Sequence, residues 1–211
     1  MRVVAIVPAY NEEKTVGNVI EVLRSLDRID EVVVVSDGSR DSTAEVARRA
    51  GATVLELRDN VGKGGAMKTG IESTTAGVFL FLDADLIGLA EEHVTALIAP
   101  VVDGSADMTV GIFERGRAVT DIAQVVAPQL SGQRAVKAKV LSDIPELEVA
   151  RFGVEIALTR YAKHEGIRVL EVPLKGLTHV MKEEKMGLSK GFVARMKMYW
   201  DIIRAHAANR D

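Results

Sequence analysis

The chain has no cysteine, which excludes disulfides and thiolate metal sites and leaves a reducing cytosol permitted. No apolar stretch approaches the roughly 18 residues a membrane-spanning helix needs. An excess of charge of one sign is also missing. The 27 Lys and Arg against 30 Asp and Glu leave a net charge of −3, which gives no general attraction to nucleic acid. Long linkers, low-complexity tracts and internal repeats are absent. The apolar run at the N-terminus is cut short by Pro8, so Met1–Val7 reads poorly as a signal peptide. What remains is 211 residues, 47% hydrophobic and 27% charged, the composition of one ordinary domain able to bury a core.

The first half alternates between two periodicities. Val3–Val7 is a β-branched run ended by Pro8, as for a buried strand. Val16, Val19, Ile20, Leu23 and Leu26 then recur at helical spacing. Val32–Val35, Thr53–Leu57, Val78–Leu82 and Met108–Phe113 read as further strands. Helices are predicted from Ser42, with Glu45 completing a capping box, to Ala50, then over Gly64–Ser73 and Ala90–Val102. Such alternation means βαβ units and a mainly parallel sheet. The expected fold is therefore α/β: a Rossmann-like, three-layer α/β/α sandwich. Ligands of such sheets bind beyond the carboxyl ends of the strands. Pro8–Glu12, Asp37–Ser39 and Asp83–Asp85 all follow strand ends, so they should gather along one rim despite their separation in sequence.

Asp83 and Asp85, at i and i+2 beyond a strand, project to one side. Two carboxylates so placed can hold Mg²⁺ or Mn²⁺, alone or with substrate phosphates. As a bland alternative they are an acidic turn in water. In Pro8-Ala9-Tyr10-Asn11-Glu12-Glu13, Asn11 can cap the following helix, and Glu12 can also reach ribose hydroxyls. Asp37-Gly38-Ser39 is turn chemistry, yet Asp37 at the rim could accept a hydrogen bond from a nucleobase. Gly62-Lys63-Gly64-Gly65 combines close backbone approach with one positive charge, and it matches neither a P-loop nor G-x-G-x-x-G.

Taken in order, Pro8–Glu12, Ser36-Asp37-Gly38-Ser39-Arg40-Asp41-Ser42-Thr43, Gly62-Lys63-Gly64 and Asp83-Ala84-Asp85 resemble the family 2 glycosyltransferases of GT-A fold. Polyprenyl-phosphate sugar transferases and glucosyl-3-phosphoglycerate synthases are the suggested relatives. The resemblance covers about the first 90 residues. It implies a nucleotide-diphosphate sugar donor, linked to UDP or GDP, and a divalent cation. Pro8, Ala9, Tyr10, Glu12, Asp37, Lys63, Asp83 and Ala84 would meet the nucleotide. Asp85 would be the principal metal ligand, with Asp83 supporting metal or nucleotide. Ser36 departs from the pattern, since many relatives carry a second aspartate there.

The second half is less regular. A helix is predicted over Asp121–Val126, a loop at Ser131–Arg134 before a short helix, a helix over Phe152–Lys163, and a strand over Arg168–Val172 closed by Pro173. Mostly loop is expected from Leu174 to Ser189, and a terminal helix over Lys190–His206. Ser131-Gly132-Gln133-Arg134 resembles the family's acceptor-side segment, in which Gly132, Gln133 and Arg134 would meet an acceptor or phosphate. Glu155, with Glu146 and Glu148 as competitors, is the candidate base for an acceptor hydroxyl. His179 resembles the late histidine that completes the metal shell in the phosphoglycerate-linked relatives. His93, His164 and His206 are expected on the surface. The loop holding Lys182 and Lys185 could close over a donor. The terminal helix carries an apolar stripe of Phe192, Val193, Met196, Tyr199, Trp200 and Ile203 beside basic residues. It can pack on the domain, on a second subunit as a homodimer, or on an anionic membrane.

The organisation expected is a single domain over 1–211, with a nucleotide half at 1–112 and an acceptor half at 113–211. The expected acceptor is a phosphorylated small molecule or lipid phosphate. The expected location is the cytoplasm, with peripheral membrane contact as an option. Two rivals stay open. A sugar nucleotidyltransferase shares the fold and metal site but opens with a glycine-rich loop, where this chain has Pro8-Ala9-Tyr10-Asn11. A non-catalytic nucleotide-sugar-binding module would have no need of Asp83 and Asp85.

Overall fold

The computed structural model describes residues 1–113, 131–143, 158, 161–162 and 164–179. Nine strands and five helices are named here: β1 (Val3–Ala9), α1 (Val16–Arg24), β2 (Glu31–Asp37), α2 (Thr43–Arg49), β3 (Thr53–Leu57), α3 (Lys63–Glu72), β4 (Val78–Phe81), β5 (Leu86–Ile87), α4 (Glu91–Val102), β6 (Met108–Phe113), β7 (Arg134–Lys137), α5 (Ala138–Ser142), β8 (Val169–Leu174) and β9 (Thr178–His179). A seven-stranded sheet runs in the order β3-β2-β1-β4-β7-β6-β8, and β5 pairs with β9 in a small second sheet. In the large sheet only β7 is antiparallel to its neighbours, β4 and β6.

The apolar runs are explained by burial on both faces. Along β1, Val3, Ala5, Val7 and Ala9 join one core cluster, with the buried faces of α1 and α4. Val4 and Ile6 point the other way, to a second cluster with Ala66 and Met67 of α3, Val140 and Leu141 of α5, and Leu158. Two helical layers thus enclose the sheet, the three-layer sandwich expected. Residues 1–178 form one compact unit.

Four local expectations are corrected. Pro8 and Pro173 do not end their strands. Ile6 and its even-numbered neighbours in β1 face β4, as the bond from Leu82 N–H to the Ile6 carbonyl shows. β4 has ended by the level of Pro8, so the missing N–H is not needed there. In β8 the Arg168 carbonyl faces β6. Pro173, of opposite parity, therefore points to the sheet edge, where proline is tolerated. The capping box at Ser42 does not form; the Thr43 N–H is held instead by Asp41 Oδ1 at 3.0 Å. Asn11 caps no helix, since α1 begins only at Val16.

The largest correction concerns Arg134, expected in a loop before a helix. It opens β7, a strand between β4 and β6 that no alternation of apolar residues announces. Thr109, fully buried in β6, anchors this insertion. Its hydroxyl donates to the Leu97 carbonyl of α4 at 2.7 Å and accepts the Ala135 N–H at 3.2 Å. β9 likewise lies where a loop was expected. The predicted helices at 121–126 and 190–206 lie outside the described residues; within 152–163, Leu158, Tyr161 and Ala162 are helical.

Candidate active site

The three strand-end segments do meet along one rim, and specific bonds lace them together. Asn11 adopts φ 56°, a left-handed conformation asparagine tolerates. Its N–H donates to Ser39 Oγ at 3.1 Å, and its Oδ1 accepts the Arg40 N–H at 2.8 Å. The Glu12 N–H donates to Thr43 Oγ1 at 2.8 Å, and Thr43 Oγ1 in turn donates to Asp41 Oδ1. Glu13 N–H reaches Asp41 Oδ2 at 3.2 Å, while Ser42 N–H returns to Glu13 Oε2 at 3.0 Å. Burial pushes the Asp41 carboxyl up, but hydrogen bonds from the Thr43 hydroxyl and from the Thr43 and Glu13 amides outweigh it. The group is held below the usual carboxylate range. The loop carrying Tyr10 and Glu12 is thus fastened from below by a buried threonine.

Asp37 is 3% exposed. Its two carboxylate oxygens accept the backbone N–H groups of Val61 at 2.7 Å and Gly62 at 2.9 Å, and Asn60 Nδ2 donates to its carbonyl. This fixes the entry to α3 and hence Lys63. Gly38, at φ 68°, lies where a Cβ would stand 2.7 Å from the Asn60 nitrogen, so the close passage of the two loops requires glycine.

Lys63 Nζ lies 2.6 Å from Asp83 Oδ1, and Gln133 Nε2 donates to Asp83 Oδ2 at 2.9 Å. Gly132 covers this pair so closely that a Cβ there would lie 2.3 Å from Lys63 Nζ and within 2.8 Å of both Asp83 oxygens. Asp83 and Asp85 are both half-buried, while Ala84 between them is buried in the core, the alternation expected beyond a strand. Asp83, Asp85 and His179 each offer one ligand atom, and these atoms lie within 4.8 Å of one another. Carboxylate oxygens and one imidazole form a donor set that suits Mg²⁺ or Mn²⁺, so the group can hold a divalent cation.

The other expected residues fall as follows. Ala9 is buried, Pro8 and Glu12 are half-buried, and Tyr10 is 47% exposed. Arg134 is fully buried, with Nε donating to the Ser131 carbonyl at 2.8 Å. Gln133 is fully buried too. Glu155, Glu146, Glu148, Lys182 and Lys185 lie outside the described residues. Sequence reasoning missed two roles. Thr43 was read only within a motif, though a lone buried hydroxyl beside a turn aspartate was a usable signal. His93, expected on the surface, is half-buried; its Nδ1 accepts the Ala90 N–H and its Nε2 bonds the Lys175 carbonyl at 2.9 Å. It ties α4 to the turn that leads into β9.

A rim of loops over parallel strand ends, with an Asp-Asp-His group beside a lysine, narrows the families that fit. A family model described as Glycosyl transferase family 2 matches residues 4–140. The chain belongs to glycosyl transferase family 2. It is 27% identical over 225 residues to an uncharacterized protein of Methanocaldococcus jannaschii, covering 94% of this chain and 89% of that one. It is 29% identical over 188 residues to the glucosyl-3-phosphoglycerate synthase of Mycolicibacterium smegmatis, covering 72% of this chain and 61% of the synthase. The crystal structure of the Mycobacterium tuberculosis glucosyl-3-phosphoglycerate synthase with Mn²⁺, UDP-glucose and phosphoglyceric acid is similar with a TM-score of 0.72 and 26% identity. That match covers 85% of this chain and 71% of the synthase. Another structure of the same enzyme holds Mg²⁺ and UDP. The glycosyltransferase assignment and the GT-A fold expected from the motifs both stand. Among the described residues no helix is long and apolar enough to cross a membrane.

Proposed function

We propose that the chain transfers a hexose from a nucleotide-diphosphate sugar to a phosphorylated acceptor, a small molecule or a lipid phosphate, with a divalent cation held by Asp83, Asp85 and His179. One observation carries this reading: the three ligand atoms converge beside the Lys63–Asp83 pair, at the rim where the donor loops meet. The UDP-glucose in a similar solved structure favours uridine over guanosine as the donor base. We also propose one domain, with a nucleotide half to residue 112 and an acceptor half beyond it.

In this reading the nucleoside lies against Pro8, Ala9, Tyr10, Glu12 and Asp37, the diphosphate against Lys63, Asp83 and Ala84. A bound Mg²⁺ or Mn²⁺ neutralises charge on the leaving diphosphate. Lys63 adds a second positive charge on the same side, and Asp83 holds its ammonium in place. The acceptor approaches Gly132 and Arg134. Its oxygen forms a bond to the anomeric carbon while the bond from that carbon to the diphosphate oxygen breaks, and the electron pair leaves with the nucleoside diphosphate. A hydroxyl acceptor must also give up a proton, for which Glu155 is the candidate base. An ionised phosphate acceptor has none to give.

The test is a thermal-shift panel of UDP- and GDP-sugars with and without Mn²⁺ or Mg²⁺. A ligand that binds only the native state stabilises it by about 2.7 kcal/mol at a hundredfold excess over Kd. The expected outcome is a metal-dependent shift with one nucleotide class, absent in Asp85→Ala. The same shift persisting in that variant counts against the site. Glu155→Gln should slow transfer to a hydroxyl acceptor with donor binding intact, and full activity in that variant removes Glu155 as the base.

A further inference from the structure

We propose that Gln133 is a positioning residue: its side-chain amide fixes the orientation of the Asp83 carboxylate and thereby sets the affinity of the Asp83–Asp85–His179 group for a divalent cation. The inference rests on the metal reading above and goes beyond it, because the sequence pattern pointed Gln133 toward the acceptor.

The rotation of a carboxylate about its last bond is soft, with two broad wells rather than three sharp ones. A carboxylate meant to present one oxygen to a cation therefore needs anchoring at the other. Asp83 is anchored at both, by Lys63 on Oδ1 at 2.6 Å and by Gln133 on Oδ2 at 2.9 Å. The two anchors differ in kind. Lys63 is half-buried and carries a charge that a diphosphate competes for. Gln133 is 0% exposed, neutral, and inside β-sheet hydrogen bonding. A neutral amide holds the carboxylate without cancelling the negative charge that the cation requires.

The amide is itself held. An ionised carboxylate only accepts, so the Gln133 NH₂ must face Asp83 and its Oε1 must face away. There Ser131 Oγ donates to Oε1 at 2.8 Å. Both ends of the side chain are satisfied, as a buried amide requires. The backbone is fixed as well: the Gly111 N–H donates to the Gln133 carbonyl at 2.8 Å. The antiparallel register that sets Phe81 opposite Arg134 then brings the residue before Arg134 beside the end of β4. Groups that orient a metal ligand through a hydrogen bond typically change metal affinity when removed.

The experiment titrates Mn²⁺, followed by the electron paramagnetic resonance of the free ion, with and without UDP, into wild type, Gln133→Met, Ser131→Ala and Asp85→Ala. Fold is checked by circular dichroism, and acceptor KM is measured at saturating Mn²⁺. The expected result is Mn²⁺ affinity about 10- to 100-fold weaker in Gln133→Met, with acceptor KM changed less than about twofold. Ser131→Ala should weaken it in the same direction by about threefold, since the amide keeps its place but loses its outer anchor. Wild-type Mn²⁺ affinity in folded Gln133→Met, or a rise in acceptor KM without a loss of metal, overturns the inference. If Gln133→Met does not fold, wild-type affinity in Ser131→Ala overturns it instead. Asp85→Ala separates the two readings. Loss of Mn²⁺ there beside unchanged Gln133→Met sinks only the positioning role, whereas Asp85→Ala binding like wild type sinks the metal site as well.

Discussion

On β1, β2 and β4, each candidate residue ends or follows the strand that places it. Tyr10 and Glu12 leave β1, Asp37 closes β2, and Asp83 and Asp85 leave β4. The other side of the site is built by pairing. Gln133 reaches Asp83 because β7 runs antiparallel between β4 and β6, and His179 belongs to β9, which pairs with β5. The first set depends on strand order, the second on register. A mutation in the first set should remove one contact, while one in the second should disturb how two segments fit.

Asp85→Ala offers the largest contrast. It removes a proposed metal ligand, and transfer should fall by about three orders of magnitude or more, on the order of the charge stabilisation a metal supplies, with the Tm of the ligand-free protein within a few degrees of wild type. A large loss of stability would show that Asp85 is structural. Gly132→Ala comes next, because its methyl would stand 2.3 Å from Lys63 Nζ. We expect kcat/KM to drop about 100-fold, the scale of a 1 Å misplacement. Unchanged kinetics would mean that the Lys63 and Asp83 side-chain ends can give way without loss, and would show that the close cover by Gly132 is not needed for transfer.

Thr43→Val keeps the shape of a fully buried side chain and deletes only the hydroxyl that serves Glu12 and Asp41. Leaving those partners short should cost about 1–3 kcal/mol. Donor KM should rise several-fold with little change in kcat, and Thr43→Ser should restore it. The smallest effect belongs to Asp107, far from the chemistry. The Arg168 guanidinium and the Lys137 ammonium beside it hold its carboxyl well below the usual carboxylate range, joining β6, β7 and β8. A folded-state value below the unfolded one, about 3.9, stabilises the protein above that pH and is lost as pH falls toward the folded value. Asp107→Asn should therefore cost on the order of 1 kcal/mol between pH 5 and 7, after allowing for solvent screening. Denaturation of the two proteins should begin to converge only as pH falls below about 4, with transfer activity unaffected at pH 7. A pH-independent difference would remove the ion pairs as its cause.

The legibility of the chain follows the same division. Apart from the two-residue β5, the order of strands and helices through Phe113 could be read because burial on both faces demands β-branched runs, and helices that cover one face must repeat at 3.6. Asp83 and Asp85 could be placed because residues beyond a strand end inherit a known direction, and Lys63 because glycines flank it at a helix start. Gln133-Arg134-Ala135-Val136-Lys137 has neither signal. A charged residue opens β7, and its burial is intelligible only once β4 and β6 flank it. The prolines misled for a related reason. Whether proline ends a strand depends on which side its missing N–H faces, and that is a property of the neighbours.

By itself, then, the order of residues determined the three-layer fold and the rim of acidic and glycine-rich loops, since these rest on local periodicity and on spacing along one strand, while its ordered motifs carried the resemblance to the family. Tertiary structure alone decided that a side chain on Gly132 would press on Lys63 and Asp83, that Gln133 faces Asp83, and that Thr43 holds the Glu12 loop. Those are contacts between segments about 30 to 70 residues apart, and their strength depends on ångström distances that no spacing in a sequence encodes.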